Sequence, residues 1–257
     1  MFEGAGKPLS REGIERAAGQ IGVELPALWA VMTVETKGCG FLPDRRPQIL
    51  FERHIFRKRT GGRFDVRAPD LSAPSAGGYG SGGAFQHQRL ARAVALDRGA
   101  ALESTSWGLG QVMGFNACVA GFDDVEAMVA AMCDSEDAQF EAIVGFITSN
   151  DLSKYLREGN WAGFAAHYNG PEYRKNSYDT KLARASARYN AGPLPNLQVR
   201  AAQLYLTYLD YAPGGVDGWF GTSTQKALIK FQKAGGLAPT GRLDDASFAA
   251  LEQAALP

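Results

Sequence analysis

The sequence contains few of the residues from which metal centres and disulfide frameworks are built. Its 257 residues include three cysteines and three histidines. Cys39, Cys118 and Cys133 are odd in number and widely separated, so they show neither a disulfide framework nor a zinc-binding spacing, and they suit a reducing cytosol. The histidines form no H-x-x-x-H or H-E-x-x-H pair, which argues against a zinc amidase. We therefore expect no metal and no cofactor.

The sequence also lacks an excess of either charge. Lys plus Arg and Asp plus Glu each number 27, so the net charge is zero. A dedicated nucleic-acid-binding protein usually carries a basic excess, and we expect no nucleic-acid partner. No apolar run reaches the length of about 18 residues that spans a bilayer, so we expect no membrane insertion. The first ten residues lack a basic stretch followed by an apolar one, and we expect no secretory signal.

The overall composition is that of a globular protein, with 45% apolar and 21% charged residues. Residues 190–195 contain a glycine and two prolines, which end one helical pattern and begin a new segment. We predict one domain over residues 1–190 and a small, separable domain over residues 191–257. Residues 68–84 are rich in Gly, Ser, Ala and Pro, and are predicted to form a mobile loop or a short hairpin over a site.

An early helix is predicted to carry Glu35 in its last turn. Pro26 suits the first turn, Leu28 and Met32 share one face with Glu35, and Gly38 can supply the left-handed residue that ends a helix. A carboxylate on an apolar face is costly to bury, and a helix C-terminus disfavours negative charge, so both effects raise its pKa. The position suits a general acid, and it equally suits a glutamate paired with an arginine.

Two later segments add short polar motifs to this helix: S-W-G-L-G-Q-V-M at residues 106–113 and A-A-H-Y-N-G at residues 165–170. A helix-ending Glu followed by these motifs resembles the motif order of the goose-type lysozyme and soluble lytic transglycosylase superfamily. V-E-T-K-G-C-G-F-L at residues 34–42 and R-P-Q-I-L-F-E-R-H at residues 46–54 more closely resemble the N-acetylmuramidase domain of bacteriophage endolysins. The resemblance covers roughly residues 8–190.

The resemblance implies a mainly α, lysozyme-like fold with a groove for a glycan strand. It implies that Glu35 is the general acid on the β-1,4 bond between N-acetylmuramic acid and N-acetylglucosamine. The residues that it places in the groove as substrate ligands are Ser106, Trp107, Gln111, Tyr168 and Asn169, with the Tyr168 hydroxyl bonding near the carboxylate. The alternative for Gln111 and Asn169 is a cap on backbone groups, and for Trp107 it is core packing.

Glycoside hydrolysis usually needs a second carboxylate. Glu52 is the residue to weigh for this role, although Arg53 and His54 beside it make an internal ion pair an equal alternative. Lytic transglycosylases manage with one acid, because the 6-hydroxyl of the sugar attacks. The closer resemblance to phage muramidases favours hydrolysis, and transglycosylation with 1,6-anhydro products stays open.

The C-terminal segment carries its own motifs. A predicted helix buries one face from Thr224 to Phe231, and the D-G-W-F-G motif that begins at Asp217 predicts a tight turn before it. This pattern resembles the three-helix peptidoglycan-binding domain attached to many cell-wall enzymes. The residues assigned to that module's binding surface are Asp217, Trp219 and Phe220.

Together the resemblances imply an endolysin, a lysozyme that binds and degrades bacterial peptidoglycan to lyse the host cell. It would be made in the host cytoplasm, act as a monomer, and reach the wall once a separate pore-forming protein permeabilises the membrane. Two other classes stay open. A non-catalytic wall-binding protein would explain only the C-terminal segment, and a cysteine peptidase would pair Cys118 with His167 or His87 without a local signature.

Overall fold

The computed structural model describes residues 1–36 and 38–256. These residues form thirteen α-helices and one small sheet, which confirms the predicted mainly α class. Ten helices precede the proline-rich break: α1 (Arg11–Ile21), α2 (Leu25–Glu35), α3 (Arg53–Arg59), α4 (Ala84–Val94), α5 (Arg98–Glu103), α6 (Val125–Asp134), α7 (Glu136–Ser149), α8 (Ser153–Arg157), α9 (Trp161–Tyr168) and α10 (Tyr178–Ala191). The strands are β1 (Ile49–Phe51), β2 (Thr105–Trp107) and β3 (Val112–Met113). After the break come α11 (Leu197–Tyr208), α12 (Thr222–Ala234) and α13 (Asp245–Ala255).

Within these described ranges, no single helix is both long and apolar enough to cross a membrane. Only α1 and α2 taken as a pair, bent by 104° at their junction, meet the criteria of length and composition.

Helix α2 is the element that carries Glu35, as predicted. Pro26 lies in its first turn, and Leu28 and Met32 are buried. The helix ends because Thr36 turns to an extended conformation, while its hydroxyl donates to the carbonyl oxygen of Met32 at 2.6 Å. Gly38 does have a positive φ of 84°, but it lies beyond this cap. The predicted terminator is therefore corrected from Gly38 to Thr36.

Helix α9 delivers the second part of the site. Asn160 caps its N-terminus by accepting from the backbone N–H of Gly163 at 2.9 Å, and Asn169 is its C-cap. Helix α10 packs against both α2 and α9. The last turns of α2 and α9 are thereby brought together, which places Asn169 beside Glu35.

The sheet lies elsewhere than the sequence suggested. Its three antiparallel strands follow the order β1-β2-β3, with Ile49 opposite Trp107 and Ser106 opposite Met113. Residues 68–84 contain no strand, so the predicted hairpin in that loop is wrong. The loop is fastened by Gln86, whose Nε2 donates to the carbonyl oxygens of Tyr79 at 2.6 Å and Ser81 at 2.7 Å.

The three C-terminal helices enclose a small core of their own. The predicted buried face of α12 is present, since Thr224 and Phe231 are buried. The Asp217 carboxylate closes the preceding turn by accepting from the backbone N–H of Trp219 at 2.9 Å. Phe220 is exposed, whereas Trp219 is half-buried with the Arg188 guanidinium 5.1 Å from the centre of its ring.

A buried ion pair joins this C-terminal unit to the rest of the chain. Arg200 of α11 and Glu136 at the start of α7 are 1% and 0% exposed, and two guanidinium nitrogens contact the two carboxylate oxygens. Glu136 also accepts from the backbone N–H groups of Leu9 at 3.0 Å and Gly40 at 2.9 Å. Four buried apolar side chains from the two units also pack together in one cluster: Cys39, Phe41, Leu204 and Val216. Truncation before Arg200 would leave Glu136 without its charged partner, and the separability of residues 191–257 stays a prediction.

We predict that Arg200→Met destabilises the whole protein. Removing one partner of a buried pair leaves an uncompensated charge, which typically costs about 3–5 kcal/mol. Arg242→Met, which removes an exposed arginine from the same C-terminal unit, is the matched control and should change stability little. Denaturant unfolding of both variants checks this, and equal stabilities would contradict a structural role for the pair.

Candidate active site

Glu35 is half-buried at the end of α2, and its two carboxyl oxygens have different surroundings. Oε2 accepts a hydrogen bond from Nδ2 of Asn169 at 2.7 Å. Oε1 is buried and has no hydrogen-bond partner among the described residues. One oxygen is therefore fixed as an acceptor, and the other is the position where a proton can reside.

Burial raises the pKa of Glu35 from an ordinary 4.5 to about 6, in the direction expected from the sequence. The hydrogen bond from Asn169 and the positive charge of Lys181 act in the opposite direction and keep the rise moderate. No arginine contributes to the pKa of Glu35, so the alternative of a glutamate paired with an arginine finds no support here. A carboxyl with this pKa is protonated in a useful fraction of molecules near neutral pH, as general acid catalysis requires.

Tyr168 supports the site through its ring. The ring stacks on Phe164 with centroids 5.1 Å apart and meets Phe146 edge-on at 5.6 Å. Burial, together with the nearby charge of Glu35, raises the pKa of the Tyr168 hydroxyl and keeps it protonated. The expected hydrogen bond from this hydroxyl to Glu35 is not formed in the structure. Asn169 instead makes the direct contact, and its own Oδ1 is buried without a partner among the described residues.

Trp107 and Ser106 lie in the protein interior. Trp107 is 0% exposed, its indole N–H donates to the carbonyl oxygen of Leu102 at 3.1 Å, and its ring packs against Phe2. Ser106 is 5% exposed and its hydroxyl bonds within the sheet region. The burial of the Trp107 ring favours the core-packing alternative. The substrate contacts expected for Trp107 and Ser106 stay predictions, and each would need the surrounding residues to move.

Gln111 is hydrogen-bonded to the protein rather than left free. Its Nε2 donates to the carbonyl oxygens of Gly108 at 2.9 Å and Gln48 at 3.2 Å, and its Oε1 accepts from the Ser106 hydroxyl at 3.2 Å. Both amide hydrogens are thus used, as the backbone-capping alternative requires. A sugar contact by Gln111 stays a prediction, and one of these bonds would have to open for it.

Sequence reasoning missed two glutamines that connect the site to the sheet. Nε2 of Gln48 donates to the carbonyl oxygen of Cys39 at 3.1 Å. The backbone N–H of Gln48 donates to the carbonyl oxygen of Gly40 at 2.8 Å. Gln139 is fully buried, and its Oε1 accepts from the backbone N–H of Leu109 at 2.7 Å. The sequence signal for Gln139 was a polar residue on the otherwise apolar, buried face of α7. Nothing near Gln139 in the sequence identifies its partner, the backbone N–H of Leu109.

Glu52 is engaged in a separate cluster between β1 and α3. Its Oε2 lies 3.2 Å from Nδ1 of His54. Burial, a hydrogen bond to Glu52 and the charge of Glu52 raise the pKa of the Tyr79 hydroxyl. Arg53 turns away and donates to the carbonyl oxygen of Ser75 at 3.1 Å. Glu52 therefore has local partners of its own, and a role as the second catalytic carboxylate stays a prediction.

The His, Cys, Asp and Glu side chains in the described ranges contain no group of three or more placed to hold a metal ion.

Comparison with known proteins finds one family match on each side of the proline-rich break. Residues 24–190 match the N-acetylmuramidase family, and residues 195–251 match the putative peptidoglycan binding domain family. The chain is similar to the crystal structure of Burkholderia AP3 phage endolysin, with 43% sequence identity and a TM-score of 0.69, over 72% of this chain and 73% of that one. A search of curated proteins found no match. Glu35, Tyr168 and Asn169 all fall inside the first family match.

We predict that Glu35→Gln stabilises the fold in a pH-dependent manner. At pH 4 the carboxyl is largely protonated in both states, so variant and parent should be similarly stable. As the pH rises through 6, the parent should lose up to about 2 kcal/mol relative to the variant, since folding raises the pKa of Glu35 from 4.5 to about 6. Melting temperatures across this range test it, with Glu24→Gln at the exposed start of α2 as the control. If Glu35→Gln were the less stable protein at pH 7, the carboxylate would instead be a structural ion-pair partner.

Proposed function

Because the chain belongs to the N-acetylmuramidase family, we propose that it cleaves the β-1,4 bond between N-acetylmuramic acid and N-acetylglucosamine with Glu35 as the general acid. The family and the endolysin neighbour support a peptidoglycan glycosidase. The observation that carries the assignment of the acid is that Oε1 of Glu35 is buried and has no hydrogen-bond partner among the described residues, on a carboxyl whose pKa burial raises to about 6. No other carboxylate takes part in setting that pKa.

In the proposed reaction, Glu35 donates its proton to the glycosidic oxygen as the bond to the muramic acid carbon breaks. The hydrogen bond from Asn169 occupies Oε2, so the proton to be transferred resides on Oε1. Once the proton has left, the N–H of Asn169 and the charge of Lys181 stabilise the carboxylate. Since Oε1 is buried, substrate binding must turn the carboxyl or displace what covers it.

Hydrolysis and transglycosylation differ in the group that attacks the sugar. Water yields a reducing-end muramic acid, and the 6-hydroxyl of muramic acid yields a 1,6-anhydro end. We propose hydrolysis, with Glu52 as the residue to test for activation of the water. Mass spectrometry of digested peptidoglycan separates the two reactions, and new reducing-end glucosamine would contradict both.

We further propose that the protein is an endolysin that lyses its host. The similar solved structure is described as a phage endolysin, and residues 195–251 match a peptidoglycan-binding family. In this role the chain would act as a monomer and would reach the wall after a separate protein opens the membrane. The exposed Phe220 would be an aromatic side chain that contacts the wall. Binding of the intact protein to purified sacculi, compared with Phe220→Ala, tests that surface.

We predict that Glu35→Gln abolishes most cleavage. Gln keeps the size of the side chain and can still accept the bond from Asn169, but it has no proton to transfer, so turnover should fall about 100-fold or more. Glu24→Gln, at the opposite end of the same helix, controls for the loss of one negative charge and should retain activity. The release of soluble glycan from purified peptidoglycan provides the measurement, and an active Glu35→Gln enzyme would refute the assignment.

We predict that the groups around Glu35 set the alkaline limb of the pH–rate profile. In the parent, kcat/KM should fall as the pH rises through about 6, because the acid becomes ionised. Asn169→Ala removes a hydrogen bond that lowers this pKa, so the limb should move to higher pH. The maximal rate should also fall, because losing this bond raises the activation free energy by about 1–3 kcal/mol.

Lys181→Met should also move the limb upward, because it removes a charge that favours the carboxylate. Arg184→Met, an exposed position on the same helix α10, is the charge-matched control. Limbs that stay in place in Asn169→Ala and Lys181→Met would show that another group titrates in the profile.

A further inference from the structure

The segment that follows Glu35 is held at both ends by the buried ion pair. Nη2 of Arg200 donates to the carbonyl oxygen of Gly38 at 2.7 Å. Oε1 of its partner, Glu136, accepts from the backbone N–H of Gly40 at 2.9 Å. One ion pair therefore fixes the carbonyl that begins this short segment and the amide that ends it. We call residues 38–40 the post-helix segment.

The post-helix segment is in turn the connection between Glu35 and the sheet. Gln48 binds the carbonyl oxygens of Cys39 and Gly40 from the sheet side. The carbonyl oxygen of Gln48 then accepts from Nε2 of Gln111. A displacement of the post-helix segment would thus change the position of the last turn of α2 relative to the sheet, and with it the position of the Glu35 carboxyl.

We propose that Arg200, a residue of the peptidoglycan-binding unit, is a positioning residue for the reaction at Glu35. This inference rests on the proposed role of Glu35 as the acid. Arg200 acts through the post-helix segment and touches neither substrate nor the reacting atoms. The peptidoglycan-binding unit consequently contributes to cleavage itself, in addition to holding the enzyme on the wall.

The geometry requires arginine at this position. A planar guanidinium can bond two carboxylate oxygens and a third acceptor at fixed angles, whereas an ammonium group is a compact point charge. Desolvation alone would lower the pKa of Arg200, but the charge and hydrogen bonds of Glu136 outweigh it, so the guanidinium stays charged. The pair is almost fully buried, with Arg200 1% and Glu136 0% exposed, and Leu204 and Val216 pack with Cys39 and Phe41 in one apolar cluster across the two units.

The test separates positioning from simple stability. Arg200→Met/Glu136→Gln removes both charges, so no unpaired ion is buried, and the amide oxygen introduced by Glu136→Gln would still accept one backbone N–H. Arg200→Lys keeps the charge but cannot reproduce both contacts, and it serves as the second variant if the double variant is not folded. Each is assayed on a soluble tetrasaccharide fragment of the glycan strand, well below its melting temperature, so that tethering to the wall plays no part.

We expect folded variants to cleave the tetrasaccharide about 10- to 100-fold more slowly, the scale of a small misplacement of a catalytic group, with a shifted alkaline limb in the pH–rate profile. Arg242→Met should match the parent in both readouts. A folded Arg200 variant with parental kcat and pH profile would overturn the proposal. Glu35→Gln is run alongside: if it is active, the proposed function fails, and if it is inactive while the Arg200 variants are fully active, only this inference fails.

Discussion

The candidate active site depends on the burial of one carboxyl group, that of Glu35, which has no salt-bridge partner in the part of the chain that the structure describes. Glu35 ends α2, and among the described residues its carboxylate is stabilised by a single amide donor on Oε2 and by the charge of Lys181. An arginine at hydrogen-bond distance would lower the pKa and leave no proton to transfer near neutral pH. Helix α10 packs against α2 and α9. This packing places the amide of Asn169, rather than a cation, at hydrogen-bond distance from the Glu35 carboxyl.

A second buried carboxylate in the same fold has the opposite environment. Glu136 receives two guanidinium contacts from Arg200 and two backbone N–H groups. All of its acceptor capacity is directed to holding segments in place, so it has the character of a structural ion. The contrast in partners distinguishes the half-buried Glu35, a carboxyl suited to proton transfer, from the fully buried Glu136, which joins two units.

Features encoded within a few residues were predictable, and features that depend on distant partners were not. Pro26 and Asn160 mark helix starts wherever the rest of the chain lies, so α2 and α9 could be predicted. Trp107 belongs to a motif that resembles a groove-lining segment, yet its place opposite Ile49 in the sheet turns the ring into the core. Arg200 and Glu136 are 64 residues apart, and no periodicity or local motif pairs them.

The most direct test of the central claim is the titration of the Glu35 carboxyl itself. Carbon-13 NMR of protein labelled at glutamate side-chain carboxyl carbons, with Glu35→Gln used to assign the resonance, follows ionisation without any assay of activity. A midpoint near pH 6 is the predicted result, since burial raises the pKa of Glu35 to about 6. A midpoint at the ordinary glutamate value of 4.5 would contradict the assignment of Glu35 as a proton donor.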